Sequence, residues 1–343
     1  MTDFLNCKGI VRCRIKRMVL CLCFIISVLC VQGQTVNDTA IRYVHTQTPG
    51  LMSCIIKTAA RLFLPKNSIP RKLSNDNFTS APAAIPKTVA TDLFIDTLRV
   101  HGRNVFTLAP KGTKSAKVVL FLHGGAYINN IFRQHWSFAA KIIRETNCTF
   151  IIPDYPLAPA YTFQEAFDML ETLYKQLLGT ANEKDIVLMG DSAGGGLALA
   201  LAMKLRDGGT ALPAAVILLS PWLDISMTNP QIKEVQKKDV SLRAENLVLA
   251  AKAWAGTTET NHYLLSFVYG SLGGLPKISI FIGTHDILEP DCRKLKSLME
   301  QKNIAMNYFE YPKMFHDWMM LGPLRESKLA RAQICSLILD KKQ

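Results

Sequence analysis

The residues best suited to chemistry in this chain lie between Gly190 and Gly194, with the sequence Gly-Asp-Ser-Ala-Gly. The apolar run at 186–189 predicts a buried strand before them, and the apolar stretch at 197–203 predicts a helix after them. A Gly-x-Ser-x-Gly turn between strand and helix is typical of a nucleophile elbow, which lifts a serine hydroxyl to the carboxyl end of a sheet. The glycines let strand and helix approach closely. Ser192 is therefore predicted to be a nucleophile, and the alternative is a glycine-rich turn without chemistry.

A second motif predicts backbone donors for acyl transfer. The predicted strand Val118–Leu122 runs directly into His123, Gly124 and Gly125. Acyl transfer needs N–H donors because the substrate carbonyl oxygen becomes an alkoxide in the tetrahedral intermediate. We expect Gly124 and Gly125 to bind this oxyanion, together with the N–H of Ala193, the residue after the nucleophile. The alternative for the His-Gly-Gly sequence is a tight turn.

The acid and the base of a serine triad can be predicted from chain order, which is Ser, then acid, then His in this architecture. Asp286 is the first carboxylate beyond the predicted strand Ile278–Ile282. Glu289 and Asp291 are nearby rivals, but they fall where the next helix should begin, and acids in a first helical turn often serve only the helix dipole. Because His316 is the one histidine that follows Asp286 in the chain, we expect it to be the general base.

With these motifs the chain resembles the α/β-hydrolases of the hormone-sensitive-lipase-like group, which are esterases and lipases with a His-Gly-Gly-Gly loop. The resemblance extends over about Val118 to Ile338 and includes Asp-Tyr-Pro-Leu-Ala-Pro from Asp154 and Ser-Pro-Trp-Leu-Asp from Ser220. It implies a serine hydrolase that cleaves carboxylic esters through an acyl-enzyme. Two departures are that Ala126 replaces the third glycine of the loop, and that Ile-Leu-Glu follows Asp286 where the family usually has Pro-Leu.

The fold class follows from alternating apolar strands and amphipathic helices, which predict an α/β fold with a mostly parallel sheet covered by helices on both faces. The core strands are predicted at 118–122, 150–152, 186–189, 215–219, 278–282 and 306–309. The helices are predicted at 136–145, 163–178, 194–206, 291–302 and 324–339. Two antiparallel edge strands are expected at 92–96 and 104–108.

Two segments do not fit this alternation, and they complete the predicted domain organisation. Residues 35–90 form an N-terminal cap or linker segment, and residues 91–343 form the catalytic domain with an insertion at about 227–274. In the resembled family these positions build a partly helical cap over the site. The alternative is two independent surface insertions.

Apolar and aromatic side chains near the site predict a small to medium apolar ester rather than an emulsified triglyceride. Tyr127 and Trp222 stand beside the motifs that face the site, and we expect both to bind substrate. The cap segments add Leu51, Met52, Leu62, Phe63, Trp254, Tyr263 and Phe267. The alternative for each of these side chains is that it only packs the cap onto the core.

The N-terminus predicts export. Five Lys or Arg residues in the first 17 positions precede an apolar run at Met18–Val31, which is too short to span a bilayer comfortably. Residues 1–34 are therefore predicted to be a signal peptide cleaved near Gly33, and the alternative is an uncleaved signal anchor with possible membrane association. In the first case the protein is secreted or luminal, and in the second it is anchored to the membrane.

Composition narrows the remaining classes. The formal net charge is +13, but no Lys-rich or Arg-rich block follows Arg17, so a nucleic-acid partner is not expected. No Cys or His spacing indicates a metal site, and ester hydrolysis by a serine requires no cofactor. The four cysteines after residue 34 permit up to two disulfides. Two other functions stay open, namely an amidase or deacetylase acting on acetylated small molecules, and a non-catalytic ligand binder on the same fold.

Overall fold

Nine strands form one sheet in the computed structural model, which describes residues 40–63, 68–75 and 78–341. The strands are β1 (Arg42–Val44), β2 (Leu93–Val100), β3 (Arg103–Pro110), β4 (Val118–Leu122), β5 (Thr149–Pro153), β6 (Ile186–Asp191), β7 (Ala215–Leu219), β8 (Lys277–Gly283) and β9 (Met306–Tyr311). Their order in the sheet is β1-β9-β8-β7-β6-β4-β5-β3-β2. β3 pairs antiparallel with β2 and β5, and every other pair is parallel. The predicted mostly parallel α/β sheet is confirmed.

Helices cover both faces of this sheet. Those of the described residues are α1 (Leu51–Phe63), α2 (Ser68–Leu73), α3 (Lys87–Asp92), α4 (Arg133–Thr146), α5 (Phe163–Leu178), α6 (Ser192–Asp207), α7 (Ile232–Gln236), α8 (Ala244–Ala255), α9 (Glu289–Gln301) and α10 (Arg325–Ile338). Short 3₁₀ turns occur at Glu183–Asp185, Phe267–Tyr269 and Trp318–Met320. All five predicted helices are present, with ends shifted by a few residues.

The sheet separates two apolar cores, and β4 shows how its strands fill both. Val119 and Phe121 point into the core beneath α4 and α10, whereas Leu120 and Leu122 point into the core beneath α5, α6 and α9. Successive side chains of a strand face opposite sides, so a strand covered on both faces must be apolar at every position. This requirement explains why the core strands are uninterrupted apolar runs in the sequence.

The segment predicted as an N-terminal cap or linker at 35–90 contains a strand that the sequence analysis missed. β1 pairs in parallel with β9 and forms one edge of the sheet, so this part of the segment belongs to the core domain. Further along the segment, α2 packs against α8 of the insertion at 227–274, and Ile69 and Trp254 share one apolar cluster. The two segments therefore meet in space, as parts of one cap would.

Two further expectations concern export. The signal peptide or anchor predicted at 1–34 lies outside the described residues. Within the described ranges, no helix has both the length and the apolar character needed to cross a bilayer. Cys54, Cys148, Cys292 and Cys335 are all free thiols, so neither of the two disulfides that the sequence permits is formed.

Candidate active site

Ser192 occupies a strained turn between β6 and α6. Its φ angle is 52°, in the left-handed region that residues with a side chain seldom adopt. A Cβ atom on Gly190 would collide with the carbonyl of Gly194, and one on Gly194 would collide with the carbonyl of Leu122. The two glycines are therefore required for the close approach of strand, helix and neighbouring strand. The predicted elbow is present, and it holds the Ser192 side chain at the carboxyl end of β6.

The three predicted triad residues meet at hydrogen-bonding distance. His316 Nε2 lies 2.9 Å from Ser192 Oγ, and His316 Nδ1 lies 2.8 Å from Asp286 Oδ2. Asp286 is completely buried, and its other oxygen accepts the backbone N–H of Leu288 at 3.0 Å. The carboxylate thereby fixes the tautomer with a proton on Nδ1, which leaves Nε2 free to accept the serine proton.

The two rival carboxylates have other partners. Glu289 and Asp291 lie in the first turn of α9, as the sequence predicted. Glu289 pairs with Arg293 one turn further along the helix, and Asp291 accepts a hydrogen bond from the Asn229 amide at 2.8 Å. Neither carboxylate contacts the His316 ring, so the geometry favours Asp286 as the acid.

A second carboxylate that the sequence analysis missed lies against His316. Asp317 Oδ2 is 3.0 Å from His316 Nε2, the same nitrogen that faces Ser192. Burial lowers the pKa of His316, but the carboxylates of Asp286 and Asp317 outweigh burial, and the pKa lies well above its usual value. Burial in turn raises the pKa of Asp317 to about 6, although His316 opposes this rise. The signal in the sequence was only that an acid directly follows the histidine.

The expectation that Gly124 donates to an oxyanion does not hold in this geometry. Its N–H already donates to Asp191 Oδ1 at 2.9 Å. A Cβ on Gly124 would collide with the same carboxylate, so glycine is needed here for close contact with the elbow. The next two N–H groups of the loop, those of Gly125 and Ala126, donate to no group of the described residues. The N–H of Ala193 lies in the first turn of α6, where helical N–H groups have no intrahelical acceptor.

Asp191 connects the loop of Gly124 to His135 on α4. Its second oxygen lies 3.2 Å from His135 Nε2, and His135 Nδ1 accepts the backbone N–H of Phe132 at 2.9 Å. This second bond assigns the ring proton to Nε2, which therefore donates to the carboxylate. Burial raises the pKa of Asp191, but His135 and the Gly124 N–H outweigh it, so the pKa is lowered and the group is ionised. This chain of contacts, which no sequence motif indicates, fixes the loop against Ser192.

Tyr127 and Trp222 are buried. Tyr127 is 1% exposed and Trp222 is fully buried. The Tyr127 ring stacks on Trp254 with centroids 4.4 Å apart and on Trp222 with centroids 5.5 Å apart. Their predicted role in substrate binding is therefore wrong for this conformation, because neither ring offers surface to a ligand. The open alternative, packing of the insertion onto the core, is what these side chains do.

The insertion also reaches the acid loop through a residue that the sequence analysis missed. Asp239 is 2% exposed, and its Oδ2 accepts the backbone N–H of Ile287, next to Asp286, at 2.9 Å. Its other oxygen accepts the backbone N–H groups of Ser241 and Leu242. Burial and the nearby Asp286 carboxylate raise the pKa of Asp239.

Across the described residues, no group of three or more His, Cys, Asp or Glu side chains is arranged to hold a metal ion.

Several known proteins are similar to this chain in sequence or in structure. A family described as alpha/beta hydrolase fold matches residues 119–320. An esterase of Acinetobacter venetianus is 31% identical over 228 residues, which cover 65% of this chain and 75% of that protein. An acetyl-hydrolase of Streptomyces hygroscopicus is 29% identical, and the match covers 62% of this chain and 71% of that protein. The crystal structure of an esterase from the bacterial hormone-sensitive lipase family aligns with a TM-score of 0.75 at 26% identity, over 86% of this chain and 99% of that one. The chain therefore belongs to the α/β-hydrolases of the hormone-sensitive-lipase-like esterase and lipase family.

Proposed function

We propose that this chain hydrolyses small to medium apolar carboxylic esters, with Ser192 as nucleophile, His316 as general base and Asp286 as the residue that orients the base. Ester hydrolysis agrees with the esterases and lipases among its relatives. The observation that carries the residue roles is the continuous relay from Asp286 through His316 to Ser192, with distances of 2.8 and 2.9 Å. A non-catalytic binder would have no need for this relay at a strained elbow.

In the first half-reaction, His316 Nε2 removes the proton of Ser192 while Oγ attacks the ester carbonyl carbon. The carbonyl π electrons move to oxygen, and the buried Asp286 carboxylate stabilises the imidazolium that forms. His316 then gives its Nε2 proton to the departing alcohol oxygen, which leaves an acyl group on Ser192. Water enters, loses a proton to the same nitrogen and attacks the acyl carbon. Return of the proton to Oγ releases the acid and restores the enzyme.

The oxyanion is held by backbone N–H groups, and we assign this role to Gly125, Ala126 and Ala193. Gly125 belongs to the original expectation, whereas Ala126 takes the place of Gly124 because the Gly124 N–H is bound to Asp191. An N–H donor aimed at a developing oxyanion contributes about 3–4 kcal/mol to lowering the barrier. Alanine at 126 retains the N–H, so replacement of the third family glycine leaves the donor in place.

Narrow access to the nucleophile supports small to medium substrates. Ser192 is 7% exposed, and the His316 side chain is 9% exposed. The packed contact between α2 and α8 covers one side of the molecule near the stacked Tyr127 and Trp254 rings. We expect this low exposure to favour such esters over an extended triglyceride.

The test is a series of p-nitrophenyl esters with increasing acyl length, assayed with the wild-type chain and the Ser192→Ala variant. We expect hydrolysis that peaks at a short or medium acyl chain and is abolished in the variant. Alanine fits the elbow sterically, so circular dichroism and the melting temperature should match the wild type. Retained hydrolysis by the folded variant, or a jump in rate when the substrate forms an emulsion, contradicts the proposal.

A second candidate is hydrolysis of acetylated small molecules, including acetamides. The relative named acetyl-hydrolase in Streptomyces hygroscopicus favours it. The same triad cleaves amides when His316 protonates the departing nitrogen. Comparing p-nitrophenyl acetate with p-nitroacetanilide distinguishes the two, because a carboxylesterase should cleave only the first at an appreciable rate.

We also propose that the protein is exported and that its mature chain begins near Gln34. The cationic flank followed by a short apolar run supports this proposal. Mass spectrometry of the N-terminus of protein purified from culture medium and from membranes is the test. A membrane-bound chain that keeps Met1 indicates the anchor, whereas a full-length chain in the cytosol contradicts both forms.

A further inference from the structure

The Asp317 carboxylate has acceptor capacity that the described residues do not use. When His316 is ready to act as the base, its ring proton is on Nδ1, where Asp286 accepts it, and Nε2 carries only a lone pair. That lone pair faces Ser192 Oγ at 2.9 Å, so Nε2 offers no proton to Asp317 Oδ2, which lies 3.0 Å away. Asp317 Oδ1 is buried and accepts no hydrogen bond from the described residues. Both oxygens are therefore free to accept a hydrogen bond from a bound molecule.

The backbone holds this carboxylate beside the opening of the site. Asp317 has a φ angle of 51°, in the left-handed region, and its N–H donates to the Ser220 hydroxyl at 3.3 Å. The Asp317 side chain is 23% exposed, compared with 9% for the His316 side chain and 7% for Ser192. Of the three groups that meet at Nε2, Asp317 is thus the one that a bound substrate reaches most easily.

The same nitrogen also fixes where the departing atom of a substrate lies. His316 gives the Nε2 proton to that atom, which must therefore lie near the outward axis of the Nε2–H bond and about 3 Å from the nitrogen. Since Asp317 Oδ2 is 3.0 Å from Nε2, it lies within about 5 Å of the departing atom. A small rotation of the Asp317 side chain brings a carboxylate oxygen to a hydrogen carried by that atom.

Esters and amides differ at this atom. The departing oxygen of an ester carries no hydrogen, and the carboxylate repels its lone pairs. The departing nitrogen of a secondary amide carries one hydrogen, which must point away from Nε2 because the nitrogen lone pair has to accept the proton there. In a site where Ser192 is only 7% exposed, such an N–H costs free energy if it stays unpaired, and an adjacent carboxylate removes this cost.

We propose that Asp317 is a specificity-determining residue that accepts the N–H of a departing nitrogen, so that this triad cleaves secondary amides beside esters. The inference rests on the proposed function, because it needs Ser192 and His316 in the roles given there. Ser192 Oγ bonds to the amide carbon while Nε2 takes the hydroxyl proton. The nitrogen then accepts the Nε2 proton on its lone pair, and the C–N bonding pair goes to nitrogen as the neutral amine departs. The hydrogen bound by Asp317 stays on nitrogen throughout, so the carboxylate gains no proton.

The test is the ratio of kcat/KM for p-nitroacetanilide to kcat/KM for n-butyl acetate, measured at about pH 8. Both departing atoms need the Nε2 proton, so the ratio isolates the N–H. Asp317→Gly should lower it about 10- to 100-fold, as expected for loss of a hydrogen bond to a charged acceptor, and glycine adopts the φ angle of 51° without strain. Asp317→Asn should lower it only about 3- to 10-fold, because its amide oxygen is a weaker, neutral acceptor. The control Asp291→Asn should leave it unchanged.

Three results overturn the inference and leave the ester hydrolase standing. One is an equal fall of the ratio in both Asp317 variants, because both remove the charge beside His316 and only Asp317→Gly removes the acceptor. The others are a ratio that stays constant, and a wild type that cleaves n-butyl acetate but not p-nitroacetanilide. If Asp317→Gly does not fold, the fall in Asp317→Asn against the constant ratio in Asp291→Asn decides. A wild type that cleaves neither compound contradicts the proposed function itself.

Discussion

Replacing Asp317 by Asn should move the acid limb of the activity profile to lower pH. His316 must be neutral to accept the Ser192 proton, and the Asp317 carboxylate 3.0 Å from Nε2 favours the charged imidazolium instead. Removing that carboxylate lowers the raised pKa of His316, so the neutral base persists at lower pH. Asparagine suits this test because Asp317 has a φ angle of 51°, which Asn tolerates better than most residues.

The magnitude follows from the short distance and the partial exposure. Two unit charges 3.0 Å apart interact by about 1.4 kcal/mol in bulk water and about 5.5 kcal/mol at an effective dielectric constant of 20. The Asp317 side chain is 23% exposed, so solvent screening places the effect toward the lower value. One pKa unit corresponds to about 1.4 kcal/mol, so we expect a shift of about one to two pH units. Since Asp286 still contacts Nδ1, the pKa of His316 should remain raised.

The assay is kcat/KM for a soluble p-nitrophenyl ester from about pH 5 to about pH 9, which reports ionisations of the free enzyme. Asp291→Asn is the matched control, because burial also raises the pKa of Asp291 to about 6 although it does not contact His316. Its acid limb should coincide with that of the wild type. An unchanged or upward-shifted limb in Asp317→Asn would refute the argument, and a shift in both variants would show that the limb reports a general effect of buried carboxylates.

Three other changes test the rest of the site. Asp286→Asn should lower kcat about 10⁴-fold, as expected when the base loses the partner that fixes its tautomer, whereas Asp291→Asn should cost less than about tenfold; the reverse order would move the acid to Asp291. His135→Gln should lower kcat about tenfold with little change in KM, because the loop held by Asp191 loosens while the surface that binds substrate is unchanged. A fall in melting temperature with kcat and KM both changed would instead indicate a merely structural role. Gly124→Ala should lower kcat about 100-fold, because its Cβ displaces the loop from Asp191, and full activity would show that the loop has room to move.

Most of the fold could be predicted because the core strands are buried on both faces. Such a strand is an uninterrupted apolar run, and each of the six predicted runs became a strand. The antiparallel pair β2 and β3 was predicted from shorter patterns, and the structure extends it to Leu93–Val100 and Arg103–Pro110. β1 was missed because Arg-Tyr-Val is too short for any period to be visible. Within the described part of the chain it pairs only with β9, so its position depends on a partner more than 250 residues away.

The triad was predicted for a different reason, since chain order and strand ends locate its members. What could not be predicted is which polar groups meet through folding. Gly124 has the right place for an oxyanion donor, but the acceptor that occupies its N–H is 67 residues away in the elbow. Tyr127 and Trp222 lie beside the right motifs, but their exposure depends on Trp254, which arrives with the insertion. Motif position predicts proximity to a site, whereas exposure and hydrogen-bond partners are set by tertiary contacts.

The insertion at 227–274 contacts both sides of the proposed site. Trp254 stacks on Tyr127, next to the oxyanion loop, and Asp239 accepts the N–H of Ile287, next to Asp286. One segment thus contacts both a neighbour of the loop to which we assign the oxyanion donors and the loop of Asp286. Because a misplacement of about 1 Å at either loop can cost about 100-fold in rate, we expect the insertion to influence turnover through the geometry of these loops. Sequence changes in such a segment should consequently alter kcat together with acyl preference.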